Sequence, residues 1–290
     1  MHTTFKAGGA ADLFVEIKSK EELSNAVKAL SEEGILLSSG GFYLLGNGSN
    51  ILVSDKGLHK PVLHIAKEFN KIFLDRDKDG KGGTLTCEAG CTLAAIAKYA
   101  LDNSLAGFEF AAGIPGSLGG AVVMNAGAYD GEMKQVVKSV HLMTEIGNIV
   151  EKSADEMKFS YRHSLLKEES FIVLDANIGL SSGNYEDIKA RMDDLAYRRR
   201  DKQPLEYPSA GSTFKRPEGY FAAKLIQDAG LRGFSVGDAQ VSEKHCGFIV
   251  NKGNATASQI YALIKEVQRR VRESSGVDIE TEVICLGEFE

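Results

Sequence analysis

The 290-residue chain has no surplus of positive charge: 34 lysines and arginines face 40 acidic residues, a formal net charge of −6. A general basic footprint for nucleic acid is therefore missing, and any anionic ligand must be held by local cations. No run of about 20 apolar residues occurs, so no membrane-spanning helix is expected. The start has no charged segment followed by an apolar stretch, so no secretory signal is expected and the chain reads as cytoplasmic. Four cysteines, Cys87, Cys91, Cys246 and Cys285, are too few for a disulfide framework at this length. They form no C-x-x-C pair and no histidines stand at finger spacing, so no metal is expected. Asp75, Asp77, Asp79 and Gly80 imitate the opening of an EF-hand loop, but its twelfth position holds Thr86 where glutamate is required. That stretch reads as a solvated turn. Internal repeats and low-complexity runs are also lacking.

Glycine is in excess, with 31 residues against a usual ~7% of a chain. The excess concentrates in turns. Gly113-Ile114-Pro115-Gly116-Ser117-Leu118-Gly119-Gly120 lies between the apolar runs Phe108–Ala112 and Ala121–Met124, and Asn125-Ala126-Gly127-Ala128 follows at once. Glycine lets backbone approach a ligand but costs stability inside regular elements. Such density suits a cradle of backbone N–H groups for phosphate, or a tight loop packed under other strands; no lysine marks it as a P-loop. A second cluster, Gly46-Asn47-Gly48-Ser49-Asn50, reads as a polar turn between strands. It is not the dinucleotide fingerprint, because Ile51–Val53 after it looks extended rather than helical. Two such turns suit a long ligand with a diphosphate in its middle.

The remaining pattern is α+β, with too many strands for a doubly wound sheet. Residues 11–17 read as a strand. Ser19 and Glu22 form a capping box for a helix carrying Leu23, Ala26, Val27 and Leu30. Strands near 36–45, 51–54 and 62–66 complete a β-α-β-β unit. A hairpin spans 72–87, and Thr92 caps a helix with Leu93, Ile96, Ala97, Ala100 and Leu101 inward. A hairpin over 140–150, a strand over 171–180 and a helix from Asn184 to Lys202 follow. Pro204 and Pro208 fit a domain boundary. Beyond it come a helix ended by Gly230, a strand at 246–250, a second capping box at Thr256 and Gln259, and a strand over 279–286. The expected division is 1–67, 68–203 and 204–290, with the last strand, about 277–290, returning to the site.

Three constellations could do chemistry. Ser212 follows glycine in the loop Ala210–Pro217. It is a turn serine or, with no G-x-S-x-G around it, a proton donor to a carbanion rather than a hydrolase nucleophile. Arg162, in Tyr161-Arg162-His163-Ser164, is a solvated charge or a bidentate partner for a carboxylate; His163 reads as local hydrogen bonding. Alternation puts Glu280 and Glu282 on one strand face, solvated or catalytic. Arg198 and Lys202 suit a helix C-terminus on dipole grounds alone. With Arg216 they could also meet a diphosphate.

The two glycine motifs, GNGSN followed by GIPGSLGGAVVMNAGAY, closely resemble those of the UDP-N-acetylenolpyruvoylglucosamine reductase (MurB) family, flavoenzymes that complete UDP-N-acetylmuramate for peptidoglycan. The resemblance runs nearly end to end, from Thr4–Gly9 to Glu282-Val283. It implies a two-subdomain FAD-binding fold of the vanillyl-alcohol-oxidase/PCMH-like kind plus an α+β substrate-binding domain. It implies noncovalent FAD, NADPH as hydride donor and a UDP-sugar substrate, and no obligatory protein partner is evident. FAD is expected at Gly46, Asn47, Gly48, Ser49, Asn50, Gly113, Ile114, Pro115, Gly116, Ser117, Gly119, Gly120, Asn125, Ala126 and Gly127. By the same likeness Ser212 is the proton donor, Arg162 faces the substrate carboxylate and the developing enolate, and Glu282 is a polariser or alternative acid. Lys202 meets the diphosphate, with Arg198 and Arg216 as lesser candidates. No aromatic insertion stands between Leu180 and Lys202, which implies the shorter form lacking a substrate-covering tyrosine loop. Relatives carry a further N-terminal segment, so a trimmed or short start is expected. The rivals are a flavin oxidase with covalent FAD and a non-catalytic nucleotide-binding regulator.

Overall fold

Local chemistry starts the helices where capping residues stand. In the computed structural model, which describes residues 2–289, Ser19 caps α1 (Lys20–Glu32) by accepting from the Glu22 N–H. Thr92 does the same for α2 (Leu93–Asp102) through Ala95. The short α3 spans Leu118–Val123. Asn184 Oδ1 accepts from the Glu186 and Asp187 N–H groups at the start of α4 (Tyr185–Lys202). α5 covers Ala222–Asp228. α6 (Ala257–Ser275) opens on the reciprocal Thr256/Gln259 box and ends at left-handed Gly276.

The chain forms two units, residues 14–47 with 61–198, and residues 1–13 with 48–60 and 199–290. This differs from the three-part division read from the sequence. A break falls at 198/199, where the sequence reading placed one at 203/204. No break occurs at 67/68, and two N-terminal segments group with the C-terminal one.

In the first unit, Val62–Ile65 lies parallel between Phe14–Ile17 and Tyr43–Leu45. A larger antiparallel sheet runs Ile149–Ser153, Val137–Thr144, Phe171–Ser182, Gly82–Glu88, Ile72–Arg76, with Leu105–Ala106 against the end of Phe171–Ser182. Leu85, Cys87, Val140, Leu142, Ala176 and Ile178 join Ile96, Ala97, Ala100 and Val122 of α2 and α3 in one core. Alternate residues of the same strands are polar: Thr86 Oγ1 donates to Asn177 Oδ1 (2.7 Å), whose Nδ2 donates to Ser139 Oγ (2.9 Å). Asp175, nearly inaccessible, is paired with Lys20 Nζ and with His141 Nδ1 at 2.6 Å, as a buried charge requires.

In the second unit, α5 and α6 pack on the antiparallel sheet Ser235–Val236, Ala239–Val241, Ile249–Asn251. Ile260, Ile264, Val267 and Val271 recur at helical spacing and are all buried. The strand Ile51–Val53 corrects the expected β-α-β-β unit. It leaves the parallel sheet and pairs in parallel with Ile284–Leu286, because Leu52 is buried with Phe5 and Val283 in this unit's core. The strands read at 36–45, 246–250 and 279–286 shrink to Tyr43–Leu45, Ile249–Asn251 and Ile284–Leu286. Among the described residues no helix is long and apolar enough to cross a membrane.

Candidate active site

In the first unit the two glycine turns meet. A Cβ on Gly46 would run into Ser117 Oγ, so a larger residue there would have to displace the serine side chain. The Gly113–Gly120 loop is held from behind, since the Leu118 N–H donates to Cys91 O (2.8 Å) and the Gly119 N–H to Ala89 O (2.9 Å). Asn47, Gly113, Pro115 and Gly120 are exposed, and Ile114 and Gly116 half-buried. The front of the loop is thus open.

Asn125 behaves differently. It is fully buried. Its Nδ2 donates to Glu132 Oε2 and Ser160 O, both at 2.9 Å, and its Oδ1 accepts from the Lys134 N–H at 2.9 Å. Its amide is used within the protein, whereas the sequence placed it at the cofactor. Ala126 and Gly127 are half-buried beside it. Arg162 sits at φ 53, with Nη2 donating to Gly127 O at 3.4 Å and Cζ 5.2 Å from the Tyr161 ring. His163 Nε2 lies 3.0 Å from Glu168 Oε1, the local role expected of it. Arg198 is ion-paired with Asp194 at 3.0 Å, one turn back on α4. Only Gly183 and Asn184 separate the strand Phe171–Ser182 from α4, so no covering loop stands there.

In the second unit Gly48 has φ 59, and a Cβ on it would run into the His2 carbonyl. The Thr4 N–H donates to Gly48 O at 3.1 Å, and Thr4 Oγ1 is buried without a partner. Ser49 and Asn50 are half-buried. Asn50 Nδ2 donates to Glu282 O at 3.1 Å, and the Ile284 N–H donates to Asn50 O at 2.9 Å.

Ser212 is exposed between left-handed Gly211 (φ 74) and fully buried Thr213. Thr213 fixes the loop. Its N–H donates to Gly247 O (2.8 Å), its Oγ1 accepts from the Ile249 N–H (3.0 Å), and its carbonyl accepts from the Glu282 N–H (2.8 Å). Phe214 bridges Thr281, and the Lys215 N–H donates to Glu280 O at 2.8 Å. The Ser212 loop and Glu282 are therefore neighbours on one short ladder. The regular strand face expected for both glutamates is not formed, since the strand proper starts at Ile284. The two differ in environment. Glu280 is exposed and bonded to Lys215 Nζ at 2.7 Å, which holds its carboxyl below its ordinary range. Glu282 is half-buried.

Lys202 is exposed in the last turn of α4, and the Arg216 guanidinium lies 4.0 Å from the Phe221 ring centroid. Sequence reasoning passed over Thr4, Thr213 and His245. His245 Nδ1 accepts from the Gly247 N–H at 3.1 Å, and burial, with Arg232 nearby, pushes its pKa down. Only the glycine of the C-G-F run hints at this turn. Among the described residues no cluster could hold a metal ion.

Residues 203–286 match the family model described as UDP-N-acetylenolpyruvoylglucosamine reductase, C-terminal domain, and residues 11–153 match that described as FAD binding domain. The chain is 51% identical over 287 residues to the UDP-N-acetylenolpyruvoylglucosamine reductase of Caldanaerobacter subterraneus subsp. tengcongensis, covering 99% of this chain and 91% of that one. It is 49% identical over 286 residues to the enzyme of that name from Clostridium perfringens, covering 99% and 90%. Among solved structures, the reductase of Thermus caldophilus superposes with a TM-score of 0.79 at 34% identity, over 99% of this chain and 96% of that one.

Proposed function

Because the chain belongs to the UDP-N-acetylenolpyruvoylglucosamine reductase family, we propose that it reduces UDP-N-acetylglucosamine enolpyruvate to UDP-N-acetylmuramate with NADPH through noncovalent FAD, in cytoplasmic peptidoglycan precursor synthesis. The observation that carries this reading is the lacing of the Ser212 loop to Glu282, and of Glu282 to Asn50 of the glycine turn. It draws an acid candidate, a carboxylate and a ligand-type turn together in one unit.

The residues fit FAD. The buried, unpartnered Thr4 hydroxyl next to Gly48 suits a polar ligand at that turn. Backbone N–H groups of Gly113, Gly116, Ser117 and Gly120 would hold its diphosphate. When bound, FAD relays hydride from NADPH to the vinyl methylene carbon of the substrate. The rest falls to the chain. The Arg162 guanidinium pairs bidentately with the substrate carboxylate and stabilises the charge that develops on it. Ser212 Oγ–H delivers a proton to the α-carbon, so that one hydride and one proton add across the double bond. Glu282 polarises that site. Lys202 and Arg216 meet the UDP diphosphate, while Arg198 is occupied by Asp194.

The test is an assay of purified protein. Flavin absorbance should be present, and NADPH should be consumed only when the enolpyruvyl substrate is added. Flavin without substrate-dependent turnover would favour a different oxidoreductase of this fold. Absence of flavin would favour a nucleotide-binding regulator.

A further inference from the structure

Arg162 is an arginine where the backbone suits glycine. Ser160 and His163 exchange backbone hydrogen bonds, 3.1 Å each way, across a two-residue turn. The second tip residue is Arg162, at φ 53. A left-handed residue at that turn position is ordinarily glycine or asparagine. Such strain persists only where the surroundings over-determine it, and it gathers at functional sites.

The surroundings lie in the same unit. Asn125 is itself left-handed at φ 41, and Tyr129 and Asp130 follow at φ 52 and 67. The Asn125 amide has one orientation available. Glu132 Oε2 and Ser160 O can only accept, so both take Nδ2 donors, at 2.9 Å each. The Lys134 N–H can only donate, so it takes Oδ1, at 2.9 Å. Ser164 Oγ donates to Val123 O at 2.8 Å, and Arg162 Nη2 to Gly127 O at 3.4 Å. Three lashes therefore join residues 123–127 to residues 160–164; Asn125 and Ser164 are both fully buried, and Asn125 is the one of these two that bonds the Ser160 carbonyl of the turn.

We propose that Asn125 is a positioning residue for Arg162, its amide fixing the Ser160 carbonyl and with it the turn that presents the guanidinium, instead of touching the flavin. Glu132 is its second anchor. This rests on the reading that Arg162 faces the substrate carboxylate.

The test uses flavin-loaded protein and two variants. Asn125→Gly keeps the left-handed backbone and deletes the amide. Asn125→Asp keeps the acceptor for the Lys134 N–H and removes both donors. Each is made alone and with Arg162→Ala, and stopped-flow spectroscopy follows each half-reaction. Flavin content and flavin reduction by NADPH should stay within about twofold of wild type. Reoxidation by the enolpyruvyl substrate should slow by about 10–100-fold, the cost of a misplaced catalytic group. In the Arg162→Ala background the Asn125 substitutions should add nothing further. If Asn125→Gly fails to retain flavin, Asn125→Asp decides. Losses that multiply in the double variants overturn the proposal, as does wild-type reoxidation in both Asn125 variants or equal slowing of both half-reactions. If Arg162→Ala alone reoxidises normally, the role given to Arg162 fails and the proposal falls with it. That outcome differs from multiplying losses, which leave the role of Arg162 standing.

Discussion

Ser212 takes its geometry from a neighbour. The serine is exposed, but Thr213 beside it is fully buried and bonded on three sides, to Gly247, Ile249 and Glu282. A loop serine becomes a positioned one through that anchor. Transfer of hydride from NADPH to FAD delivers no proton to a carbanion, so Ser212→Ala should leave flavin reduction near its wild-type rate. Reoxidation by the enolpyruvyl substrate should slow by about 10²–10⁴-fold, the usual loss of a positioned acid. Stopped-flow measurement of each half-reaction checks this, and normal reoxidation would return Ser212 to an ordinary turn residue. Ser212, Arg162 and Glu282 stood out in the sequence through family likeness. Spacing alone left each with a bland alternative. The part played by Asn125 was not legible, because an asparagine in a glycine-rich run can serve a ligand or its own backbone, and only burial decides between them.

Elements were legible where their determinants are local. The Thr256/Gln259 box that opens α6 spans four residues of sequence and forms as read. The same helix start has a second cap that no local pattern shows. Asp55, 202 residues away from Ala257, accepts from the Ala257 N–H at 2.8 Å and from the Ser258 N–H and Oγ at 2.7 Å each. Burial pushes its pKa up, but these hydrogen bonds outweigh it and hold the carboxyl below its ordinary value. With the folded value below the unfolded one, the contribution is present above about pH 4 and fades as pH falls through the folded pKa. Asp55→Ala should cost about 1 kcal/mol at pH 7, the size of a lost cap. The difference from wild type should shrink toward pH 3, as read by urea unfolding across pH. A pH-independent difference would mean that the carboxylate charge is not what matters. The parallel pairing of Ile51–Val53 with Ile284–Leu286 was equally invisible, since such a strand carries no mark of its partner.

For the whole molecule, the glycine loop exposed at Gly113, Pro115 and Gly120, with no histidine linkage motif in its sequence, predicts flavin held without a covalent bond. Acid precipitation of the yellow protein should leave FAD in the supernatant, and colour remaining on the denatured chain would contradict the reading. The sequence by itself determined the α+β class, the starts of α1, α2, α4 and α6, the two ligand-type turns and the candidate Ser212, Arg162 and Glu282. Each of these rests on a pattern a few residues long, set by capping, periodicity or glycine density, or on family likeness carried by such patterns. Only the tertiary structure decided that residues 1–13 and 48–60 join the C-terminal unit. It alone decided that Glu280 is bonded to Lys215 while Glu282 is laced to the serine loop, and that the Asn125 amide donates to the Ser160 carbonyl. These outcomes depend on burial and on partners distant in the chain, and both come into being only when the core closes.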